Sequence, residues 1–160
     1  MEDHKPAALI TFVIASVTAA TAGLGAVVSG PSIDFTFQAL DRPELTPPEY
    51  VFSIAWPVLF TLMAFAAILV RIKAGSFAAC SAALGLYFTT LILNLAWNWM
   101  FFEFRQWMLA IIVMAVLWVL ILATMRAFWK HSTTAVILML PYLIWVSLAG
   151  YLNGSILFLN

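Results

Sequence analysis

Leu40-Asp41-Arg42-Pro43-Glu44-Leu45-Thr46-Pro47-Pro48-Glu49-Tyr50-Val51-Phe52-Ser53-Ile54-Ala55-Trp56-Pro57-Val58-Leu59-Phe60 is the one stretch where charge, proline and aromatic residues meet. Pro43, Pro47 and Pro48 prevent regular structure ahead of Tyr50, because each fixes its own φ and restricts the residue before it. From Tyr50 the sequence turns apolar, with Trp56-Pro57 inside the apolar run. A charged, proline-stiffened segment leading into a tryptophan-bearing helix reads as a lid over a pocket.

Outward from this stretch the chain is almost continuously apolar. Of its 160 residues 65% are hydrophobic and 9% charged, and the mean hydropathy is +1.06. A soluble domain carries about 25% charged residues. A chain so short of charge cannot cover itself with a hydrated surface, so its solvent is largely lipid. The formal net charge is zero and no basic run occurs, which argues against nucleic acid as a partner. A lone cysteine, Cys80, can form neither an intrachain disulfide nor a thiolate cluster. Ahead of the first apolar run the N-terminal residues Glu2 and Asp3 are acidic. That run is longer than the ~7–15 residues of a signal-peptide core, so a retained first membrane helix is expected.

A membrane helix needs about 20 mostly apolar residues. Stretches Ala7–Ser29, Tyr50–Val70, Phe77–Phe101, Trp107–Trp129 and Thr133–Leu159 qualify, giving an all-α bundle of five transmembrane helices in a single domain over residues 1–160. Three connectors are short and force antiparallel neighbours. Only residues 30–49 form a long link, expected to be the lid loop. Alternation puts Lys5, Arg71, Lys73, Arg126 and Lys130 at the N-terminal side. The other side holds Arg42 and Arg105 with Asp34, Asp41, Glu44, Glu49 and Glu103. The positive-inside rule then predicts a cytoplasmic N-terminus, with the acidic loop and the C-terminus outward. Small residues recur at Ala15, Ala19, Gly23 and at Ala22, Ala26, Gly30, and again at Ala78 with Ala82 and Ser81 with Gly85. Such stripes permit close helix approach, within the bundle or across a dimer. Pro57 and Pro141 are expected to kink their helices.

The usual catalytic sets are missing. His4 and His131 sit at membrane edges and cannot form a metal cluster with one cysteine. No carboxylate pair falls within a helix and no phosphate-binding glycine loop is present. No catalytic or metal-ligating residues are therefore assigned. The helices hold uncharged polarity and large aromatics instead. Asn94 shares a helix face with Trp97 and with Asn98, and an amide in lipid must be bonded, so these residues point inward. An interhelical clamp and a ligand contact both satisfy that need. Trp107 and Trp129 suit the interfacial belt. Trp56 and Trp145 lie beside proline-shaped elements and can approach the same outer half of the bundle, where indole walls with a few fixed polar groups suit a large, flat, apolar ligand.

These residues also resemble a known family. Arg42-Pro43-Glu44-Leu45-Thr46-Pro47-Pro48 followed by Ala55-Trp56 resembles the proline-and-tryptophan signature of the TspO/MBR (translocator protein, tryptophan-rich sensory protein, peripheral-type benzodiazepine receptor) family. Asn94-x-x-Trp97 with Phe101-Phe102 is similar to its third-helix motif, and Pro141-Tyr142-Leu143-Ile144-Trp145 with Asn153 to its fifth. The resemblance implies a five-helix bundle, commonly a homodimer, with a pocket under the first loop. It implies porphyrins such as protoporphyrin IX, or haem-related tetrapyrroles, as ligands rather than as required cofactors. It further implies Phe37, Pro47, Phe52, Trp56, Asn94, Trp97, Trp145 and Ala149 as ligand-binding positions.

The match departs in places. Thr36-Phe37 replaces the usual Trp-Tyr pair, Leu45 the tryptophan before Pro-Pro, and Arg42 the lysine. Nothing basic follows Tyr151, so the family's sterol-recognition pattern fails, and membrane lipid is expected around the chain without a sterol site. Three functions stay open: binding of a flat tetrapyrrole for transport, scavenging or signalling; light- and oxygen-dependent porphyrin breakdown at a redox-active tryptophan; and a small transporter or structural bundle without a defined pocket. The setting expected is a bacterial cell membrane.

Overall fold

The computed structural model describes residues 4–160, leaving aside the side chains of residues 4–6 and 31–38. Five helices follow one another: α1 His4–Ala39, α2 Glu49–Lys73, α3 Phe77–Asn98, α4 Trp107–Trp129 and α5 Thr133–Leu159. A π-helical turn, Trp99–Glu103, extends α3. All five are long and apolar enough to cross a membrane. This is the five-transmembrane-helix, all-α bundle of a multi-pass membrane protein.

The link after α1 is shorter than the 30–49 loop expected from sequence. The helix runs on to Ala39, and only Leu40–Pro48 is irregular. Residues 32–39 contain neither glycine nor proline, so nothing local stops the helix before Pro43 disfavours α geometry ahead of it. The other links have specific stops. Gly75, at φ 75°, takes the left-handed position after Ala74 that closes α2. Ser76 and Ser132 cap α3 and α5, each hydroxyl accepting from a backbone N–H three residues on, Ala79 and Ala135, at 3.3 Å.

Short links make sequence neighbours antiparallel, and the contacts close a ring in the order α1–α2–α5–α4–α3 and back to α1. Buried at its centre are Met63, Tyr87, Leu91, Leu117, Ile121, Met139 and Tyr142. Large apolar side chains such as Phe12, Ile92, Val119 and Ile144 point outward, where lipid is the favourable solvent. Hydroxyls inside the spans are satisfied locally, bonding the carbonyl four residues back: Thr18 to Ile14, Thr90 to Leu86, Thr124 to Leu120. Across helices, Thr18 meets the Tyr87 hydroxyl at 2.6 Å and Thr90 meets Thr124 at 3.2 Å. These cross-helix bonds tie α1 to α3 and α3 to α4.

Candidate functional site: an aromatic cavity between α1, α2 and α3

Helical spacing sets up the site. Phe52, Trp56 and Phe60 fall at i, i+4, i+8 on α2; Trp145, Ala149 and Asn153 do the same on α5; Asn94, Trp97 and Asn98 share one side of α3. Ring packing brings α2 to α5, with α3 across from both. The aromatic rings then form a connected wall. Trp145 meets Phe52 edge-on at 5.4 Å between centroids and Trp56 edge-on at 6.3 Å. Trp56 lies 6.2 Å from Trp97, and Trp97 stacks on Phe101 at 5.6 Å. Phe101 meets Phe102 at 4.9 Å. These separations are those at which aromatic pairs attract beyond simple burial.

Beside the wall lies a cavity of about 260 Å³. On the α1 side it is lined by Ala22, Gly25, Ala26, Ser29 and Gly30; from α2 come Phe52, Ser53, Trp56, Pro57 and Phe60; Asn94 and Asn98 form the floor. The small residues of α1 make this hollow. Gly25 is buried, and a Cβ there would stand 3.5 Å from the Asn98 amide nitrogen. A second, smaller void of about 50 Å³ lies under the loop, bounded by Arg42, Thr46, Phe52, Trp97, Phe101 and Ala149 among others. Phe52 borders both and divides them.

The polar groups around the cavity differ in how they are satisfied. The Asn94 amide donates to the Tyr142 hydroxyl at 3.0 Å, joining α3 to α5. The Trp97 indole N–H donates to Asn153 Oδ1 at 3.2 Å, and the Asn153 amide donates to the Trp107 carbonyl at 3.2 Å. These are interhelical clamps. On these helices around the aromatic wall two buried atoms have no partner: the carbonyl oxygen of Asn98 and the indole nitrogen of Trp145. One is an acceptor and the other a donor.

The structure therefore brings together Phe52, Trp56 and Asn94 at the cavity and Phe52, Trp97 and Ala149 at the void. Trp145 borders neither and backs the wall behind Phe52 and Trp56. Pro47 lies in the loop, half-buried, and lines neither hollow. The side chain of Phe37 lies outside the described residues. Sequence reasoning set Asn98 on the Asn94 face without assigning it to the site, and overlooked Gly25, Ser29, Ser53 and Phe60. Asn98, a second amide one turn from Asn94, was the available signal. Asn160 was overlooked as well. Its side chain accepts from the Asp41 N–H and donates to the Asp41 carbonyl, both at 3.1 Å, fastening the loop to the end of α5. Thr46 closes the loop's own turn, its N–H and hydroxyl both donating to the Pro43 carbonyl at 3.0 and 2.7 Å. Among the described residues no three His, Cys, Asp or Glu side chains gather to hold a metal ion.

The sequence model of the TspO/MBR family matches residues 12–159. The tryptophan-rich sensory protein of Cereibacter sphaeroides is 37% identical over 127 residues, covering 79% of this chain and 78% of its own. Protein CrtK of Rhodobacter capsulatus is 30% identical over 154 residues, 95% of this chain and 94% of its own. The human translocator protein is 32% identical over 118 residues, 73% and 70% of the two chains. With the family's motifs lying on the three helices that meet at the aromatic wall and the match running almost end to end, this chain belongs to the TspO/MBR family.

Proposed function

We propose that this protein binds a porphyrin or a similar flat, apolar tetrapyrrole in the cavity between α1, α2 and α3, for transport, scavenging or signalling. Family membership and five spanning helices support a membrane ligand-binding role in general. The observation that carries the finer reading is the hollow of about 260 Å³, walled by Phe52, Trp56 and Phe60 and floored by an amide whose oxygen has no partner. A buried polar atom left unbonded is costly, and a ligand N–H or O–H reaching Asn98 removes that cost. The hollow also favours a ligand over a bundle without a pocket.

Drug-sized ligands occupy about 300–1,000 Å³, so the cavity as it stands falls short of a tetrapyrrole. Phe52 is the partition between it and the void under the loop. Rotation of that ring, with a shift of Leu40–Pro48, joins the two spaces. The loop then acts as the lid, and Pro47 stiffens it rather than touching the ligand. Toward the bilayer, a further hollow of about 360 Å³ shares Ala22, Pro57 and Phe60 with the cavity along the α1–α2 groove. A second copy is proposed to dock on the exposed small residues Ala78, Ser81, Ala82 and Gly85 of α3. The cation-rich end of the bundle is proposed to face the cytoplasm of a bacterial cell.

Quenching of tryptophan fluorescence by protoporphyrin IX tests the binding site. Saturable quenching is expected in the native chain and its loss in a Trp56→Ala, Trp145→Ala double variant. Unchanged quenching in that variant removes the cavity as the site.

A further inference from the structure

The end of the bundle opposite the loop carries a feature the aromatic cavity does not use. Arg71, in the last turn of α2, is only 7% exposed, and its Nε is buried without a hydrogen-bond partner. Exposed cations surround this end: Lys73, Arg126 and Lys130. Among the residues whose side chains are described every carboxylate (Asp41, Glu44, Glu49 and Glu103) belongs to the other end, in the loop, at the start of α2 or beyond α3. Arg71 therefore has no acidic partner among them.

The carbonyls of Val70 and Ile72, which an arginine at a helix C-terminus could draw on, already accept from Ala74 and Gly75 at 2.9 and 3.3 Å. Across the tight turn Ala74–Ser76 the chain starts α3 at Phe77. There Ser76 satisfies the Ala79 N–H. The preceding N–H groups, of Phe77 and Ala78, have no acceptor within the helix, as the first N–H groups of any helix lack one. A guanidinium in the last turn of one helix and the N-terminus of the next, both electropositive, thus flank one tight turn at the end of two spans.

We propose that Arg71 and the first turn of α3 form a site for a phosphate-bearing anion, the headgroup of an anionic phospholipid. A buried cation without a counter-charge is strongly unfavourable. The planar guanidinium fork matches phosphate oxygens, which a lysine ammonium does only as a point charge. Basic pockets between membrane helices are a known mode of headgroup recognition. The site is separate from the aromatic cavity and does not depend on what binds there.

The test uses the full chain in phosphatidylcholine nanodiscs with a graded share of phosphatidylglycerol. Phosphatidylglycerol retained after exchange into detergent is counted by mass spectrometry, and thermal unfolding is followed in parallel. The native chain is expected to retain phosphatidylglycerol and to melt higher as its share rises. Arg71→Met is expected to lose that preference by about tenfold, the worth of one charge-assisted bond, and to melt independently of the lipid. Arg71→Lys, which keeps the charge without the fork, is expected between the two and serves as the comparison if Arg71→Met fails to fold. Equal retention by the native and both variant chains overturns the proposal. A loss in Lys73→Gln or Lys130→Gln as large as in Arg71→Met also overturns it, since that marks a diffuse surface potential. Inorganic phosphate in lipid-free detergent separates the sources: if it protects the native chain as fully as phosphatidylglycerol does, the occupant is a soluble anion and not a headgroup. A lipid response that emerges only after Glu2→Gln and Asp3→Asn would make the chain's own N-terminal residues the counter-charge, and overturns the proposal as well.

Discussion

Asn94 and Asn98 lie one turn apart on α3, both border the cavity, and both are buried, at 2% and 7% exposure. Replacing each by leucine, similar in size and without polar atoms, is expected to move stability in opposite directions. Asn94→Leu removes the donor at 3.0 Å from the Tyr142 hydroxyl, which is fully buried. Polar bonds between membrane helices average about 0.6 kcal/mol with a maximum near 1.7, and a stranded buried group costs about 1–3 kcal/mol. A loss of about 1–2 kcal/mol follows. Asn98→Leu removes an oxygen that has no partner. The cost of burying an unbonded amide, about 1–3 kcal/mol in protein mutational data, is relieved, so the ligand-free protein gains about 1 kcal/mol or more. For a chain of this size 1 kcal/mol corresponds to about 2–4 °C in Tm. Thermal unfolding in detergent without ligand should show Asn94→Leu melting below the native chain and Asn98→Leu above it. Protoporphyrin IX affinity of Asn98→Leu should fall by about 2–10-fold, the worth of one neutral hydrogen bond. If Asn98→Leu melts well below the native chain, the oxygen has a structural partner and the reasoning fails.

Other expectations follow from single contacts. Asn160→Ala removes both bonds that fasten Asp41 to α5; ligand exchange and protease cutting within Leu40–Pro48 should quicken while Tm moves little, and an unchanged cutting rate would show that the clamp does not hold the loop. Thr18→Val leaves the buried Tyr87 hydroxyl without its 2.6 Å partner; a loss of about 1–2 kcal/mol is expected from unfolding curves, and Tyr87→Phe in the same background should recover part of it. Trp97→Phe keeps the ring contacts but strands Asn153 Oδ1, so it should lower Tm by about 2–4 °C per kcal/mol lost, whereas Trp118→Phe, whose indole bonds Ser147 at an exposed face, should do so less. Single cysteines introduced into the loop and into Lys130–Ser132 should label from opposite sides of the membrane, with labelling from the same side contradicting the alternation of five spans.

The spans were legible because crossing a bilayer is a local property. Length and apolar content of Trp107–Trp129 and Thr133–Leu159 set those helices to the residue. The exception is residues 30–39: the apolar run ends near Ser29, but the helix continues to Ala39, because an α-helix needs no hydrophobicity to continue. The site was legible in part. Trp56, Asn94, Trp97 and Trp145 stood out because large aromatics and amides inside a lipid helix demand partners. Gly25 and Phe60 did not, because small and apolar residues occur all round helices of this composition and their facing is not encoded by a polar stripe.

By itself, then, the sequence determined a lipid-soluble chain of five antiparallel helices, with a proline-stiffened link between the first two and an aromatic, amide-bearing interior. The tertiary structure decided the ring order α1–α2–α5–α4–α3 and the place of the cavity. It also decided which of two neighbouring amides is bonded. That choice rests on Tyr142 meeting Asn94 across 48 residues of chain, and the hold on the loop rests on Asn160 meeting Asp41 across 119. Apolar length can be summed along a segment, but hydrogen-bond satisfaction in lipid is a pairing between distant residues, and only the packed bundle assigns the pairs.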